Sequence, residues 1–125
     1  VTVHAQTVSE EMGVCHCDMC RKWTAGPFFT VDCGADVKID GAEHVTFYNS
    51  SDWAERAFCK HCGTSLFYKL KDGTLHAVSS ELFDNAKFGF DYQIFIDEKT
   101  SYYDFANKTK MKTGAEVFAD AEADA

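Results

Sequence analysis

Cys15, Cys17 and Cys20 crowd three thiols into the run CHCDMC, and Cys59 and Cys62 supply two more in CKHC, so five of the six cysteines sit in two clusters. Thiolates are soft ligands, and a borderline-soft tetrahedral ion such as Zn²⁺ needs several aimed at one point. Residues two apart on an extended backbone share a face, so Cys15 and Cys17 can address one ion while His16 turns away. Cys17-Asp18-Met19-Cys20 is a CxxC, whose tight turn lets two sulfurs converge near backbone N–H groups that favour thiolate charge. Cys59-Lys60-His61-Cys62 is a second CxxC, followed by Gly63, where a metal knuckle often needs positive φ. Two CxxC units with β structure between them form the pattern of a zinc ribbon.

The number of ligands leaves two arrangements open. A closed structural site needs four, and Cys17, Cys20, Cys59 and Cys62 would supply it with Cys15 incidental. Alternatively Cys15, Cys17 and Cys20 hold one ion with an open fourth position, and Cys59 and Cys62 belong to a second site whose other ligands precede Val1. Three protein ligands plus an exchangeable position is the pattern of a catalytic or substrate-binding zinc, able to take a thiolate substrate or act as a Lewis acid.

Disulfides and redox dithiols are the competing uses of an even cysteine count. Neighbouring cysteines at these spacings are poorly placed to bridge each other, and residues 1–14 do not read as a basic-then-apolar export signal, so disulfides are not expected. No thioredoxin-like βαβ pattern surrounds either CxxC. His16 and His61 lie inside the clusters, but adjacent residues on extended backbone diverge, which favours surface or supporting roles over ligation. Cys33 ends an apolar run and is expected in the core, as cysteine commonly is. Trp23 and Phe28 suit core packing better than a substrate cleft, and turn chemistry alone accounts for Ser50, Ser51 and Asp52.

These residues need a scaffold, and 125 residues with 46% apolar content and eleven Phe can build one domain with a real core. We place that domain at residues 1–118 and a frayed acidic tail at 119–125. The net charge is −8 and no basic block occurs, which argues against nucleic-acid binding. No apolar run is long enough to span a bilayer, so the expected setting is soluble and cytoplasmic, without a membrane partner. Short β-type runs dominate, at 1–5, 28–33, 36–39, 44–49, 54–58, 65–70, 74–79 and 88–96. Lys71-Asp72-Gly73-Thr74 is a hairpin turn between two of them. Helix is expected only as a short turn at 18–23 and near Glu81-Leu82-Phe83-Asp84. The fold class is mainly β, built of small antiparallel sheets around the cysteine clusters. Val1-Thr2-Val3-His4-Ala5 alternates like the middle of an element and lacks an initiator Met, so residues upstream are expected in the native chain.

Gly13–Phe28 (GVCHCDMCRKWTAGPF), Tyr48–Ser51 (YNSS), Arg56–Leu66 (RAFCKHCGTSL) and Phe95–Tyr103 (FIDEKTSYY) together resemble the glutathione-dependent formaldehyde-activating enzyme family, which also holds centromere-protein-V-like proteins. The resemblance covers nearly the whole chain. It implies a β-tent fold with two zinc ions per full-length chain. It also implies that Cys15, Cys17 and Cys20 are the catalytic ligand triad, and that Cys59 and Cys62 complete a structural site with an upstream CxC. The implied reaction joins glutathione and formaldehyde into S-hydroxymethylglutathione, a carbon–sulfur lyase reaction run in reverse, with the glutathione thiolate attacking the aldehyde carbon. Arg21, Lys22 and Arg56 are candidates for the glutathione carboxylates and equally ordinary surface charges. Three classes therefore follow: a zinc enzyme acting on glutathione adducts or a related thiol, a non-catalytic zinc β module binding a thiol ligand or a protein, and a dithiol redox protein.

Overall fold

The computed structural model describes residues 1–84 and 87–123. In chain order the elements are β1 (Thr2–Ala5), β2 (Glu11–Cys15), α1 (Asp18–Thr24), β3 (Phe28–Asp32), β4 (Val37–Asp40), β5 (Val45–Tyr48), β6 (Ala54–Cys59), β7 (Ser65–Leu70), β8 (His76–Ser79), β9 (Gly89–Ile94), β10 (Lys110–Lys112) and α2 (Gly114–Ala123). The protein is mainly β, and the chain divides into two compact units, Val1–Glu10 with Thr30–Lys87, and Glu11–Phe29 with Phe88–Ala125.

The first unit is antiparallel throughout. Strands β3, β8, β7, β6 and β5 follow one another across a sheet, and β1 pairs separately with β4. Both β1 and β4 alternate exposed and half-buried residues, as period-two strands with one covered face must. Val31, Cys33, Ala54, Ala57, Leu66, Phe67 and Val78 are buried and form this unit's core. The β7–β8 hairpin turns where expected: Asp72 Oδ1 accepts from Thr74 N at 2.9 Å and from the Thr74 hydroxyl at 2.7 Å. These bonds hold the Asp72 carboxyl below its usual range.

The second unit adds parallel pairing to a fold expected to be mostly antiparallel. Strand β9 is parallel to both neighbours, β2 on one side and β10 on the other. Parallel pairing needs a connection long enough to return the chain to the same end, and residues 95–109 supply that crossover between β9 and β10. Strands β2 and β10 are themselves unanticipated, because β2 carries Gly13 and β10 is three residues long with two lysines.

Helix α1 stands where a short turn was expected. A 3-10 turn at Ser80–Leu82 overlaps the second expected helical site. Residues 119–123, expected to fray, continue α2, while Asp124 and Ala125, the end of that acidic segment, lie outside the described residues. Among the described residues no helix is long and apolar enough to cross a membrane.

Candidate metal centre

Cys15 closes β2, paired in register with Ile94 of β9. Strand β2 reaches that position through an irregularity at Met12/Gly13, and Gly13 is required there, because a Cβ would overlap the Tyr92 ring. Cys17 is the N-cap of α1, with extended dihedrals of φ −62° and ψ 155°. Its sulfur accepts the backbone N–H of Cys20 at 3.4 Å, doing with sulfur what a Ser or Asp oxygen does at most helix starts. Arg21 N–H closes the first helical bond onto the Cys17 carbonyl at 3.0 Å. The helix stops at Ala25 in the left-handed region (φ 59°), and Pro27 prevents its resumption. Strand end, cap and first helical turn thus deliver Cys15, Cys17 and Cys20 to one place.

The three sulfurs lie within 4.8 Å of one another, Cys20 buried and the other two half-buried. Tetrahedral zinc with bonds of about 2.3 Å sets its sulfurs about 3.8 Å apart, so small side-chain adjustments suffice. The ion-free cluster resists ionisation: hydrogen bonding to Cys17 and Cys20, followed by burial, pushes the Cys15 thiol far above its ordinary value. A thiophilic cation reverses that preference by replacing the protons and neutralising the crowded charge, so the donor set fits such an ion.

His16, between two of these cysteines, is not on the surface and lies outside the group of potential ligands. It is completely buried. Its Nε2 lies 2.8 Å from Gln93 Oε1, and Gln93 Nε2 donates to Thr109 Oγ1 at 2.9 Å. Its Nδ1 lies 3.3 Å from the Tyr103 hydroxyl. Phe29, Phe90, Phe105 and Tyr103 form an edge-to-face aromatic cluster, with Phe105 6.2 Å from the His16 ring. Burial, above all, lowers the His16 pKa, with Lys99 and Arg21 adding to the effect against the Gln93 hydrogen bond. Tyr103 is shifted upward, again chiefly by burial. Lys99 fastens the Tyr103 loop: its ammonium donates to the carbonyls of Thr100 (2.7 Å) and Tyr103, pairs with Asp104 at 2.9 Å, and lies 4.8 Å from the Tyr103 ring centre.

Arg21 is committed within the unit, its Nε donating to the His16 carbonyl at 2.9 Å and its Nη2 to Asp18 at 3.3 Å. Lys22 pairs with Asp18 at 3.0 Å on the surface. Arg56 is not a surface charge: it is buried in the other unit, 5.2 Å from the Tyr68 ring centre. Gln93 and Tyr103 escaped the sequence reasoning. The available signal for Gln93 was a polar residue within the apolar run 88–96, which must bond internally if its neighbours are buried.

In the first unit Cys59 ends β6 and Cys62 lies on the β6–β7 connection, where Gly63 has the expected positive φ of 76°. Cys62 is exposed, and the Thr64 hydroxyl 3.0 Å away, together with backbone and Cys59 contacts, lowers its pKa. Among the described residues only Cys15, Cys17 and Cys20 form a group of three potential ligands. His61 Nε2 meets His44 Nδ1 at 2.8 Å. Cys33 is wholly buried, as anticipated.

The family model described as "Glutathione-dependent formaldehyde-activating enzyme" matches residues 1–98. An uncharacterized lyase of Schizosaccharomyces pombe is 40% identical over 119 residues, covering 92% of this chain and 87% of that protein. A Rhodobacter sphaeroides protein of known crystal structure has a similar fold, with a TM-score of 0.55 at 19% identity over 67% of this chain and 78% of its own.

Proposed function

The chain belongs to the glutathione-dependent formaldehyde-activating enzyme family, and from that premise we propose that it is a zinc-dependent carbon–sulfur lyase acting on the adduct of glutathione and formaldehyde, or on a closely related thiol adduct. The observation that carries this reading is the cluster of Cys15, Cys17 and Cys20, three soft donors within 4.8 Å. These residues would hold the ion, and three protein ligands leave a tetrahedral centre one exchangeable position. When bound, zinc supplies a positive charge that keeps a thiol substrate ionised at neutral pH.

In the synthetic direction the glutathione sulfur forms a bond to the aldehyde carbon, the carbonyl π pair moves to oxygen, and that oxygen takes a proton from solvent. Lyase action is the reverse, with the carbon–sulfur bond broken and formaldehyde released. The protein's own share is orientation and exclusion of water. The Cys17 cap fixes the start of the helix that carries Cys20, and the aromatic cluster packs beside the buried His16 between Cys15 and Cys17. Cys59 and Cys62 are assigned to a second, structural site whose remaining ligands come from outside the described cluster.

Metal content by plasma mass spectrometry, followed by calorimetric titration of glutathione into wild type and Cys17→Ser, tests the proposal. Metal-loaded wild type should bind glutathione and the variant should not. Equal heats from both would remove thiol binding at the triad. A bound ion with no glutathione response in either would leave a zinc module without this substrate.

A further inference from the structure

His16 is held at every polar atom it has. Its backbone N–H donates to the Ile94 carbonyl at 3.0 Å, and its own carbonyl accepts from Arg21 Nε at 2.9 Å. Because Gln93 spends its amide N–H on Thr109, its Oε1 is an acceptor, so His16 Nε2 must carry the proton. Nδ1 lies 3.3 Å from the Tyr103 hydroxyl, which can pair with it. The hydrogen-bond chain links Tyr103, His16, Gln93 and Thr109, and all four residues lie in the second unit.

We infer that His16 is a positioning residue for the cysteine triad, a buried imidazole clamped between Gln93 and Tyr103 that sets the direction of the sulfurs on either side of it. The inference rests on the reading of Cys15, Cys17 and Cys20 as the metal-ligand set.

The reasoning is geometric. Successive side chains on an extended backbone point to opposite faces, so fixing the middle residue inward turns both neighbours outward together. Cys15 ends a strand and Cys17 starts a helix, which leaves the peptide units around His16 as the joint whose rotation would separate the sulfurs. A leucine here would fill space but allow that joint to turn. An imidazole bonded at both nitrogens does not, because each rotation breaks a hydrogen bond in a site closed to water. Lys99 extends the device outward by fixing the loop that carries Tyr103. Partners that orient ligands in this indirect way commonly change metal affinity by one to two orders of magnitude when removed.

The test uses the full chain with Zn²⁺ and Co²⁺ as probes. Gln93→Met removes the amide partner while keeping length and volume, and Tyr103→Phe removes the hydroxyl partner while keeping the ring. Zn²⁺ affinity is measured by competition with a chromophoric chelator, ligand geometry by the Co²⁺ absorption spectrum, and folding by denaturation of the metal-free protein. Both folded variants should bind Zn²⁺ about tenfold more weakly and show displaced, broadened Co²⁺ bands. Wild-type affinity together with a wild-type Co²⁺ spectrum in either folded variant would overturn the positioning role, even if metal-free stability fell. Should Gln93→Met not fold, Tyr103→Phe decides alone. If wild type itself bound neither ion, the ligand-set reading would fall first and the inference with it.

Discussion

The sulfur of Cys17 accepts the backbone N–H of Cys20 at 3.4 Å, so one candidate ligand caps the helix that carries another. Capping and ligation are separable by substitution. Serine keeps an acceptor at the N-cap but is a poor soft ligand, whereas alanine removes both functions. We expect Cys17→Ser to retain the metal-free stability of wild type within about 0.5 kcal/mol, and Cys17→Ala to lose about 1 kcal/mol. Both should lose zinc affinity by more than about tenfold, because one of three ligands is gone. Urea denaturation of the metal-free proteins and chelator competition of the loaded ones measure the two effects independently. Equal metal-free stability of the two variants would show that the cap does not stabilise the helix.

Gly13 lies two residues before Cys15, and a Cβ at Gly13 would overlap the Tyr92 ring. Gly13→Ala should therefore destabilise the protein by roughly 1–3 kcal/mol through overpacking and weaken metal binding by displacing the end of β2. Tyr92→Val opens the space, so Gly13→Ala/Tyr92→Val should be more stable than the sum of the single changes allows. A double-mutant cycle by urea denaturation measures the coupling, and strict additivity would show that the overlap relaxes without cost.

A cluster of Cys15, Cys17 and Cys20 was one of the two arrangements that spacing left open, because CxCxxC on an extended-to-helical junction has few ways to arrange its sulfurs. The strands of the first unit were equally legible, since β1 and β4 alternate with period two and the Asp72-Gly73 turn announces its hairpin. The parallel pairing of β2, β9 and β10 was not, because pairing direction is set by where a long connection returns the chain. The inward clamp on His16 was hidden for a similar reason: Gln93 and Tyr103 are distant in sequence, and only tertiary contact unites them. Helix α2 follows a Thr-Gly start with Glu116 at a capping-box position, where Thr113 and Glu116 exchange side-chain-to-backbone bonds at 3.2 and 3.0 Å. That signal is present in the sequence, and the sequence reading missed it.

Thiol accessibility should divide the cysteines sharply. Cys62 is exposed and its pKa is lowered by Thr64, whereas Cys33 is wholly buried and its thiol is pushed up to about 11. In native, metal-free protein near neutral pH, iodoacetamide should label Cys62 first and leave Cys33 unmodified until the protein unfolds. Peptide mapping over a time course reads the order. Labelling of Cys33 at a rate matching Cys62, under conditions where the fold persists, would mean that the first unit opens readily.

Cys33 also gives stability a defined dependence on alkaline pH. Its thiol ionises near 9 in an ordinary setting and near about 11 in the folded chain, because burial, assisted by the charge of Asp32, opposes the thiolate. Below pH 9 both states keep the proton and Cys33 adds no slope. Between about 9 and 11 the unfolded chain loses its proton while the folded chain retains it. Fewer protons on the unfolded state make the slope of unfolding free energy against pH negative, so stability falls as pH rises. The share due to Cys33 is roughly 2 kcal/mol between about pH 9 and pH 11. Cys33→Ala should be less stable than wild type near neutrality, by the cost of a small buried cavity, yet decline less steeply with alkali. Urea denaturation of both proteins at several pH values isolates that difference, since the remaining thiols, tyrosines and lysines titrate in both. Parallel pH profiles for the two proteins would show that Cys33 ionises as easily in the core as in water.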